Sequence, residues 1–371
     1  MADGGAVLIA AMSGRALAQS ARRGGYLPLV ADFFGDQDTL QAAAAHVRFG
    51  GSLAHGIKEN HLMRALEELS RDHRALGIVC GTGFEDRTGL LERVAERWPL
   101  FGNAASVVAG IKDPENLAVL CRKTDVAFPD FELTKPPALD DWLVKRTGGA
   151  GGAHVKTASD AAGSNAVYYQ RKMPGSAVSA LFLADGRRGE LLGFSTQWCS
   201  PVAGKPYRYG GAVRPARLAP ATEASLASAV GRLAAAASLI GLNSADFLVE
   251  DDRYWLLEVN PRPGATLDIF EPPGGSLCAL HIAACAGNLA AAPHYSEGAK
   301  ASAIVYAEED IPSFPPLEWP DWTADRPRAG SAVKAGDPLC TVYACGPVAS
   351  GAKTLADERC QIVLAWTRAR H

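Results

Sequence analysis

The segment SADFLVEDDRYWLLEVNPRPG holds two apolar, strand-like runs on either side of the acidic pair Asp251–Asp252. Apolar, aromatic and β-branched residues flanking a short polar turn predict a β-hairpin. Because successive side chains of a strand alternate between faces, Glu258, Asn260 and Arg262 share one face. The turn brings Asp246 of the first strand beside them. The hairpin therefore predicts an antiparallel sheet with several polar groups concentrated on one face.

The polar groups of this hairpin predict a particular chemistry. Asp246, Glu258 and Asn260 supply two carboxylates and an amide oxygen, which suit a Mg²⁺ ion shared between protein and phosphates. Arg262 is suited to clamp a phosphoryl oxygen. The alternative is the exposed polar face of an edge hairpin. The apolar flanks of both strands, and Asp246 in register, favour the binding site.

A glycine-rich loop strengthens the phosphate hypothesis. In LVKRTGGAGGAHV, Lys145 stands at the end of a predicted strand, just before the loop. Backbone N–H groups of such a loop can close over phosphates, and the lysine adds positive charge. The lysine precedes the glycines and no GK[ST] follows, so this is not a Walker A loop. The alternative is a flexible linker. The candidate phosphate-binding glycines are Gly148, Gly149, Gly151 and Gly152.

Composition narrows the class of protein. The 371 residues suit two or three domains, and 48% hydrophobic with 21% charged residues is typical of a globular chain. The net charge of −3 offers no basic surface for nucleic acid. Eight cysteines without a CxxC pair favour free thiols in a reducing, cytoplasmic setting. No basic region precedes the first apolar run, and no segment predicts a membrane span, so we expect no signal peptide and no membrane partner.

The order of predicted elements indicates an α/β protein. The first hundred residues alternate strands and helices, which predicts a parallel, Rossmann-like sheet. The GTG at 81–83 is more typical of a tight turn than of a phosphate cradle. Residues 106–125 are helical with a break at Pro114, and a later helix has Thr222 as its expected N-cap and Gly241 at its end. The tail from about Ser302 is expected to be β-rich.

Several separated motifs occur in an order that resembles the ATP-grasp superfamily over roughly residues 1–300. They are Lys112, the FP at 128–129, Lys145 with its glycine loop, YYQRKMPG, Asp246 and EVNPR. The resemblance is nearest to biotin-carboxylase-like members described as predicted carboligases. The tail resembles the small β-barrel segment of those proteins, without a biotinylation sequence around Lys334 or Lys353.

The resemblance implies a division of the chain and a set of contacts. It implies a Rossmann-like domain at 1–105, an ATP-grasp lid at 106–172, a large lobe at 173–300 and a β-rich segment at 301–371. ATP and Mg²⁺ would be the cofactors, with Lys112 and Lys145 on the phosphates. The adenine would be lined, partly through the main chain, by Gln170, Arg171, Lys172 and Met173.

The acceptor side is predicted from STQWCSPVAGKPYRYGGAVRP. A carboxylate-bearing substrate would meet Gln197, Arg208, Tyr209 and Arg214, although an ordinary polar loop is an equal alternative. His154 and His281 are expected to be structural or solvated.

The leading functional hypothesis is an ADP-forming carboxylate–amine ligase with Arg262 and Lys145 as catalytic residues. Phosphoryl transfer of this kind needs positioning and charge neutralisation, and no protein nucleophile. The alternatives are a bicarbonate-dependent carboxylase and a non-catalytic nucleotide-binding protein. A dinucleotide oxidoreductase is the weakest alternative. Small-molecule partners are expected, and a homo-oligomer is possible. Parts of the N-terminal region resemble proteins of one-carbon cofactor synthesis (tetrahydromethanopterin or methanofuran type) in methylotrophic bacteria.

Overall fold

The computed structural model describes residues 4–160, 167–295 and 298–368. Its N-terminal part is a five-stranded parallel sheet in the order β3-β2-β1-β6-β7, as the alternating pattern predicts. The central strand β1 is apolar and fully buried, and so are the last four residues of β6 beside it, because helices cover both faces of the sheet. The elements are β1 Ala6–Ala10, α1 Arg15–Arg23, β2 Leu27–Asp32, α2 Gln37–Ala42, β3 Ala45–Arg48, β4 Gly51–Ser52, β5 Gly56–Ile57, α3 Glu59–Arg71, β6 Ala75–Cys80, α4 Thr88–Arg97 and β7 Leu100–Phe101.

Two consecutive helices lead into a four-stranded sheet of order β10-β9-β11-β8. The break between them is at Pro114, as predicted, because proline suits the first position of a helix. Asp113 caps the second helix by accepting a hydrogen bond from the Asn116 N–H. The elements are α5 Ala105–Lys112, α6 Pro114–Lys123, β8 Phe131–Glu132, β9 Trp142–Arg146, β10 Lys156–Thr157, a 3₁₀ turn Ala158–Asp160 and β11 Val167–Arg171.

An eight-stranded antiparallel sheet, in the order β16-β15-β12-β13-β14-β17-β19-β18, forms the largest layer. Its last three strands come from the C-terminal segment, in agreement with the predicted β-rich tail. The sequence did not predict the 20-residue helix that ends this segment. The elements are β12 Ser176–Asp185, β13 Gly189–Cys199, β14 Tyr209–Arg214, α7 Pro220–Ala236, β15 Ile240–Glu250, β16 Arg253–Asn260, α8 Leu267–Phe270, α9 Leu277–Cys285, β17 Ala299–Tyr306, β18 Thr323–Ala324, β19 Pro338–Gly346 and α10 Ala349–Arg368.

The core shows how the layers join. Ile111 of α5 and Leu117 of α6 are buried in the same apolar cluster as Phe247 of the large sheet, so both helices pack on that sheet. The proposed domain boundaries remain predictions. The expected N-cap of α7 was wrong, because the helix begins at Pro220 and Thr222 donates its hydroxyl proton to the Asp251 carbonyl. Its expected end at Gly241 was also wrong, since that glycine lies within β15.

Two further expectations concern the whole chain. The eight cysteines are free thiols, four of them buried, with Cys199 and Cys345 exposed. None of the helices in the described part of the chain has both the length and the apolar character needed to cross a membrane.

Candidate active site

The predicted hairpin is formed by β15 and β16, which turn at Asp251 and Asp252. In its register Asp246 lies opposite Glu258, and Ser244 lies opposite Asn260. The Asn260 amide group donates to Asp246 Oδ2 at 3.0 Å and to Glu258 Oε1 at 3.3 Å. Alternation puts Glu258 and Asn260 on one face, and a register shift between Phe247 and Asp246, with Leu257 as the extra residue, brings Asp246 opposite Glu258.

Lys112 reaches this hairpin from the end of α5. Its ammonium group donates to Asn260 Oδ1 at 2.7 Å and to Glu258 Oε2 at 3.3 Å, and only 9% of the residue is exposed. Burial by itself raises the pKa of Glu258. Lys112 is the largest opposing influence, and the balance lowers that pKa to about 2. A lysine 146 residues away in sequence thus neutralises the hairpin carboxylate.

Asp246 differs from Glu258 in its surroundings. Burial raises its pKa to about 6, and the charge of Glu258 adds to the effect. Its Oδ1 atom is buried and accepts no hydrogen bond from the described residues. The Ser179 hydroxyl on β12 lowers the pKa slightly but does not meet hydrogen-bond geometry. A buried acceptor without a donor is a place where a cation would be stabilised.

These groups fit a shared Mg²⁺ better than a closed metal cage. Within residues 4–160, 167–295 and 298–368 no group of three or more His, Cys, Asp or Glu side chains is arranged so that it could hold a metal ion by itself. Magnesium characteristically takes one or two protein carboxylates and completes its shell with phosphates and water. Asp246, Glu258 and the Asn260 amide oxygen offer that incomplete set.

Lys145 approaches the same carboxylates from the smaller sheet. It lies on β9 opposite Tyr168 of β11, and only 7% of the residue is exposed. Burial lowers its pKa to about 8; Glu258 and Asp246 oppose the shift, and Lys112 adds to it. Because the charges of Glu258, Asp246 and Lys112 all act on it, Lys145 lies near the hairpin carboxylates that Lys112 also contacts.

Arg262 follows β16 and points toward the N-terminal domain. Its Nε donates to Glu85 Oε1 at 2.6 Å, and Glu85 Oε2 accepts the Gly83 N–H at 2.8 Å. Burial alone would raise the pKa of Glu85, but Arg262 and then Lys112 outweigh it and lower that pKa. The GTGFE segment is thus a tight turn that presents a charged carboxylate. The sequence contained Glu85 but no signal that it pairs with Arg262.

The glycine loop closes against two other parts of the chain. The Gly151 carbonyl accepts the Tyr209 N–H at 3.0 Å. Gly152 has a φ of 69°, and a Cβ there would lie 2.0 Å from the Tyr207 carbonyl oxygen, so only glycine fits. A Cβ on Gly148 would meet the backbone of Asp86 at 2.8 Å. The loop is therefore held by backbone contacts, although its glycines offer no side chains for packing.

The predicted adenine-lining segment has one buried and two exposed members. Gln170 is 1% exposed, and its Nε2 has no hydrogen-bond acceptor among the described residues. Arg171 and Lys172 are exposed, and the Arg171 guanidinium lies over the Trp142 ring at 5.8 Å. Met173 is half-buried in the link to β12. Gln170 is the member with an unused polar group.

The predicted acceptor residues also differ in whether their polar groups already have hydrogen-bond partners. Arg208 donates to the Ser200 carbonyl and stacks 3.6 Å from the centre of the Tyr306 ring. Arg214 donates to the Ile269 carbonyl and lies over the Tyr295 ring. These contacts occupy Nε and Nη2 of Arg208 and Nε of Arg214.

The other two acceptor candidates are Tyr209 and Gln197. The Tyr209 hydroxyl is buried without a partner among the described residues, and burial followed by the charge of Asp246 raises its pKa. Gln197 is half-buried on β13 opposite Ala212. Tyr209 is therefore the acceptor candidate that is linked to the hairpin site.

His281 has the structural role that was expected. Its Nδ1 accepts the Leu242 N–H at 2.7 Å, and its Nε2 lies 3.0 Å from the Phe101 carbonyl oxygen. His154 is mostly buried beside Gly149, and burial lowers its pKa to about 4. Both histidines are therefore neutral near pH 7.

The structure contains a second buried ionic cluster, centred on Arg15, that the sequence did not predict. Arg15 pairs with Asp268 through two hydrogen bonds of 2.7 Å and with Asp325 at 3.0 and 3.1 Å. Asp38 lies 3.9 Å from the same guanidinium. These residues come from the N-terminal domain, α8 and the C-terminal segment. A local sequence pattern cannot predict this cluster, because Arg15 and Asp268 are 253 residues apart.

The comparisons with known proteins agree with this geometry. Residues 118–266 match the family model of the ATP-grasp domain. Over this range the chain is similar to ATP-grasp domains. The matched range includes Lys145, the glycine loop and the hairpin through Arg262. No protein of curated function matches the sequence.

Several solved structures resemble the chain over nearly its whole length, and not only over the range that matches the ATP-grasp model. Biotin carboxylase from Campylobacter jejuni is 15% identical, with a TM-score of 0.68 over 92% of this chain and 87% of that one. The biotin carboxylase domain of Hydrogenobacter thermophilus 2-oxoglutarate carboxylase, in complex with MgADP, ADP and bicarbonate, is 13% identical, with a TM-score of 0.70 over 92% and 86%. The ADP complex of N5-carboxyaminoimidazole ribonucleotide synthetase is 14% identical, with a TM-score of 0.69 over 100% and 99%. A single-chain, multi-domain long-chain acyl-CoA carboxylase and the urea amidolyase of K. lactis also match, over 39% and 19% of their own lengths.

The expected fold class is thus confirmed: the protein has the mixed α/β fold of biotin carboxylase, with the region similar to ATP-grasp domains at its centre.

Proposed function

We propose that the protein is an ATP- and Mg²⁺-dependent ligase that joins a carboxylate to an amine and releases ADP. The observation that carries the proposal is the convergence of Lys112 and Lys145 on Asp246 and Glu258, with Arg262 paired to Glu85 beside them. Two cations face a carboxylate pair in which Asp246 Oδ1 has no hydrogen-bond donor among the described residues, and a third cation lies nearby. That arrangement suits the terminal phosphates of ATP and the Mg²⁺ that accompanies them.

The reaction follows from where the charges lie. A carboxylate oxygen attacks the γ-phosphorus of ATP, and ADP leaves with the electrons of the broken P–O bond. The amine nitrogen then attacks the acyl carbon, inorganic phosphate leaves, and one proton is lost from nitrogen. Lys112, Lys145 and Arg262 hold the phosphoryl oxygens and offset their negative charge as it shifts. Bound Mg²⁺ would supply further charge neutralisation at these phosphates.

The surroundings of Arg262 support an organic acid as the substrate. A mostly apolar pocket adjoins the guanidinium and is lined by Phe84, Leu100, Val108 and Pro263 among others. Bicarbonate has no apolar part to place there. The pocket therefore favours a carboxylic acid with a carbon skeleton.

Bicarbonate-dependent carboxylation is the second candidate, because the structural relatives include a carboxylase domain bound to bicarbonate. Phosphate release that depends on bicarbonate, with no added organic acid, would identify that reaction. The possible link to one-carbon cofactor synthesis stays a prediction, since no contact of the site specifies such a substrate.

Phosphate release across a matrix of acids and amines tests the ligase proposal. We expect turnover only when an acid and an amine are both present, with ADP and amide formed in equal amounts. Arg262→Met should remove this turnover, whereas Arg93→Met, an exposed arginine of α4, should leave it unchanged. Phosphate release that is independent of any acid and amine would contradict the proposal.

A further inference from the structure

A small pocket lies at the junction of the N-terminal domain and the loop after β16. Its wall is formed by the ends of β6 and β7, by α4 and α5, and by residues 261–263. The cavity has a volume of about 20 Å³, which is room for one or two small groups. The lining residues are Cys80, Gly81, Phe84, Glu85, Leu91, Leu100, Phe101, Gly102, Asn103, Val108, Pro261, Arg262 and Pro263.

The polar groups of this wall are unequal in their availability. The Asn103 amide is committed to Ile240 and Asn243, at 2.8 Å in each case. Cys80 is buried, and burial raises the pKa of its thiol, so it is uncharged. The charged groups that remain are Glu85 and Arg262, which form the 2.6 Å ion pair described above.

Arg262 retains unused hydrogen-bonding capacity. Of its five N–H donors, Nε serves Glu85 and one Nη1 hydrogen points at the Pro263 carbonyl from a distance of 3.4 Å. No other hydrogen bond of this guanidinium involves the described residues. An incoming carboxylate can therefore bind to the free end while Nε stays on Glu85.

The charge of the site disfavours a simple anion beside Glu85. The charged side chains form two equal sets, Lys112, Lys145 and Arg262 against Glu85, Asp246 and Glu258. MgATP adds net negative charge to this balanced set. A further carboxylate next to the buried Glu85 would be repelled by it at close range. An ammonium group on the neighbouring carbon would pair with Glu85 and remove that repulsion.

We infer that the acyl substrate of this site is an α-amino acid with a small apolar side chain. The inference rests on the proposed ligase function. The carboxylate binds to the Nη atoms of Arg262 and faces the γ-phosphate. The α-ammonium group binds to Glu85, and a methyl or ethyl side chain fills the pocket. Glu85 is thus the residue that distinguishes amino acids from simple carboxylic acids.

Isothermal titration calorimetry of the full chain in the presence of MgADP tests the inference. The probes are alanine, 2-aminobutyrate, leucine and propionate, which has the alanine skeleton without the amine. We expect alanine to bind at least about 10-fold more tightly than propionate, because a charge-assisted hydrogen bond in a buried site contributes that much. Leucine should bind more weakly than alanine, since the pocket lacks room for its side chain.

The variant Glu85→Gln supplies the decisive contrast. It should weaken alanine binding about 10- to 100-fold, while propionate binding stays the same or becomes tighter. A merely structural defect would weaken both ligands alike. Glu92→Gln changes an exposed glutamate of α4 and should behave like the unaltered protein.

The outcomes separate the two proposals. Propionate binding as tightly as alanine, or Glu85→Gln weakening both ligands equally, would overturn the amino-acid assignment. Turnover of other organic acids alongside a failure of alanine would overturn it while leaving the ligase function in place. The expected binding pattern without phosphate release under any acid and amine would support the pocket assignment and contradict the ligase function.

Discussion

Two buried ionic clusters hold distant parts of this chain together, and they differ in how fully their hydrogen bonds are used. The interdomain cluster consists of Arg15, Asp38, Asp268 and Asp325. The phosphate-site cluster consists of Lys112, Lys145, Asp246, Glu258, Asn260 and Arg262. Each joins the N-terminal half of the chain to the large sheet.

The interdomain cluster is saturated. Arg15 donates to Asp268 and Asp325 through both Nη atoms and Nε, and its fifth N–H reaches Gln19 at 3.4 Å. Asp325 also accepts the hydroxyl protons of Ser13 and Thr341. Burial opposes the charge on Arg15, but Asp268 and Asp325 outweigh it and raise its pKa. An arginine so completely bonded has no donor left for a ligand.

The phosphate-site cluster is unsaturated. Asp246 Oδ1 has no partner among the described residues, Lys145 has a lowered pKa, and Arg262 has free N–H groups. A buried set of charges is costly unless it is fully paired. Missing hydrogen-bond partners, rather than buried charge alone, therefore distinguish a binding site from an ion cluster that only stabilises the fold.

The largest expected effect is on stability. Arg15→Met leaves Asp268 and Asp325 buried without their cation, and we expect a loss of about 3–5 kcal/mol in the free energy of unfolding. Arg93→Met removes only an exposed pair and should cost less than about 1 kcal/mol. Urea denaturation measures both. A loss for Arg15→Met as small as the control would break the distinction between the two clusters.

The counterpart in the phosphate-site cluster is an effect on turnover. Glu258→Gln removes a charge that would hold Mg²⁺ while preserving side-chain volume. We expect a 100- to 1,000-fold fall in ATP turnover, roughly the effect of losing one group that stabilises charge in the transition state. The loss of stability should be smaller than for Arg15→Met. Unchanged turnover in a folded variant would remove Glu258 from the site.

The lowered pKa of Lys145 predicts a pH dependence. Lys145 is protonated below its pKa of about 8 and loses its charge as the pH rises above it. Affinity for a non-hydrolysable ATP analogue should therefore fall by up to tenfold per pH unit above about 8. Lys145→Arg keeps its charge throughout and should abolish this fall. The same slope in the variant would assign the titration to another group.

The smallest expected effect concerns the glycine loop. Arg146 and Lys156 flank the loop and are exposed, so trypsin has two cleavage sites there. A bound ATP analogue should slow cleavage at both sites a few-fold as the loop packs over phosphates. Lys334, exposed in the C-terminal segment, is the control site. Equal protection at Lys334 would show a global effect instead of loop closure.

The hairpin was readable from the sequence because its determinants are local. Period-two alternation puts Glu258, Asn260 and Arg262 on one face. The turn at Asp251–Asp252 alone would pair Asp246 with Leu257, and a register shift of one residue beside Asp246 places it opposite Glu258 instead. Lys145 was identified from its place before the glycine loop and Lys112 only through a resemblance in the order of motifs. Their convergence depends on how α5 and the smaller sheet pack against the large sheet. Local patterns cannot show that packing.

The ion pairs that the sequence did not predict join residues that are far apart in the chain. Glu85 and Arg262 are separated by 177 residues, and Arg15 is 310 residues from Asp325. Arg208 and Arg214 were chosen because arginines in a polar loop suit a carboxylate. Arg208 donates through Nε and Nη2 to Ser200, and Arg214 donates through Nε to the Ile269 carbonyl, so their role toward an acceptor stays a prediction. Composition identifies donors, but only the folded chain shows which donors are already occupied.

The central claim is that the phosphate-site cluster transfers the γ-phosphoryl group of ATP to a carboxylate. Chromatography of the nucleotide products, with an acid and an amine present, tests it most directly. We expect ADP as the product, formed in equal amounts with the amide and lost in Arg262→Met. AMP and pyrophosphate as the main products would contradict the claim, because the bond broken would then lie at the α-phosphate.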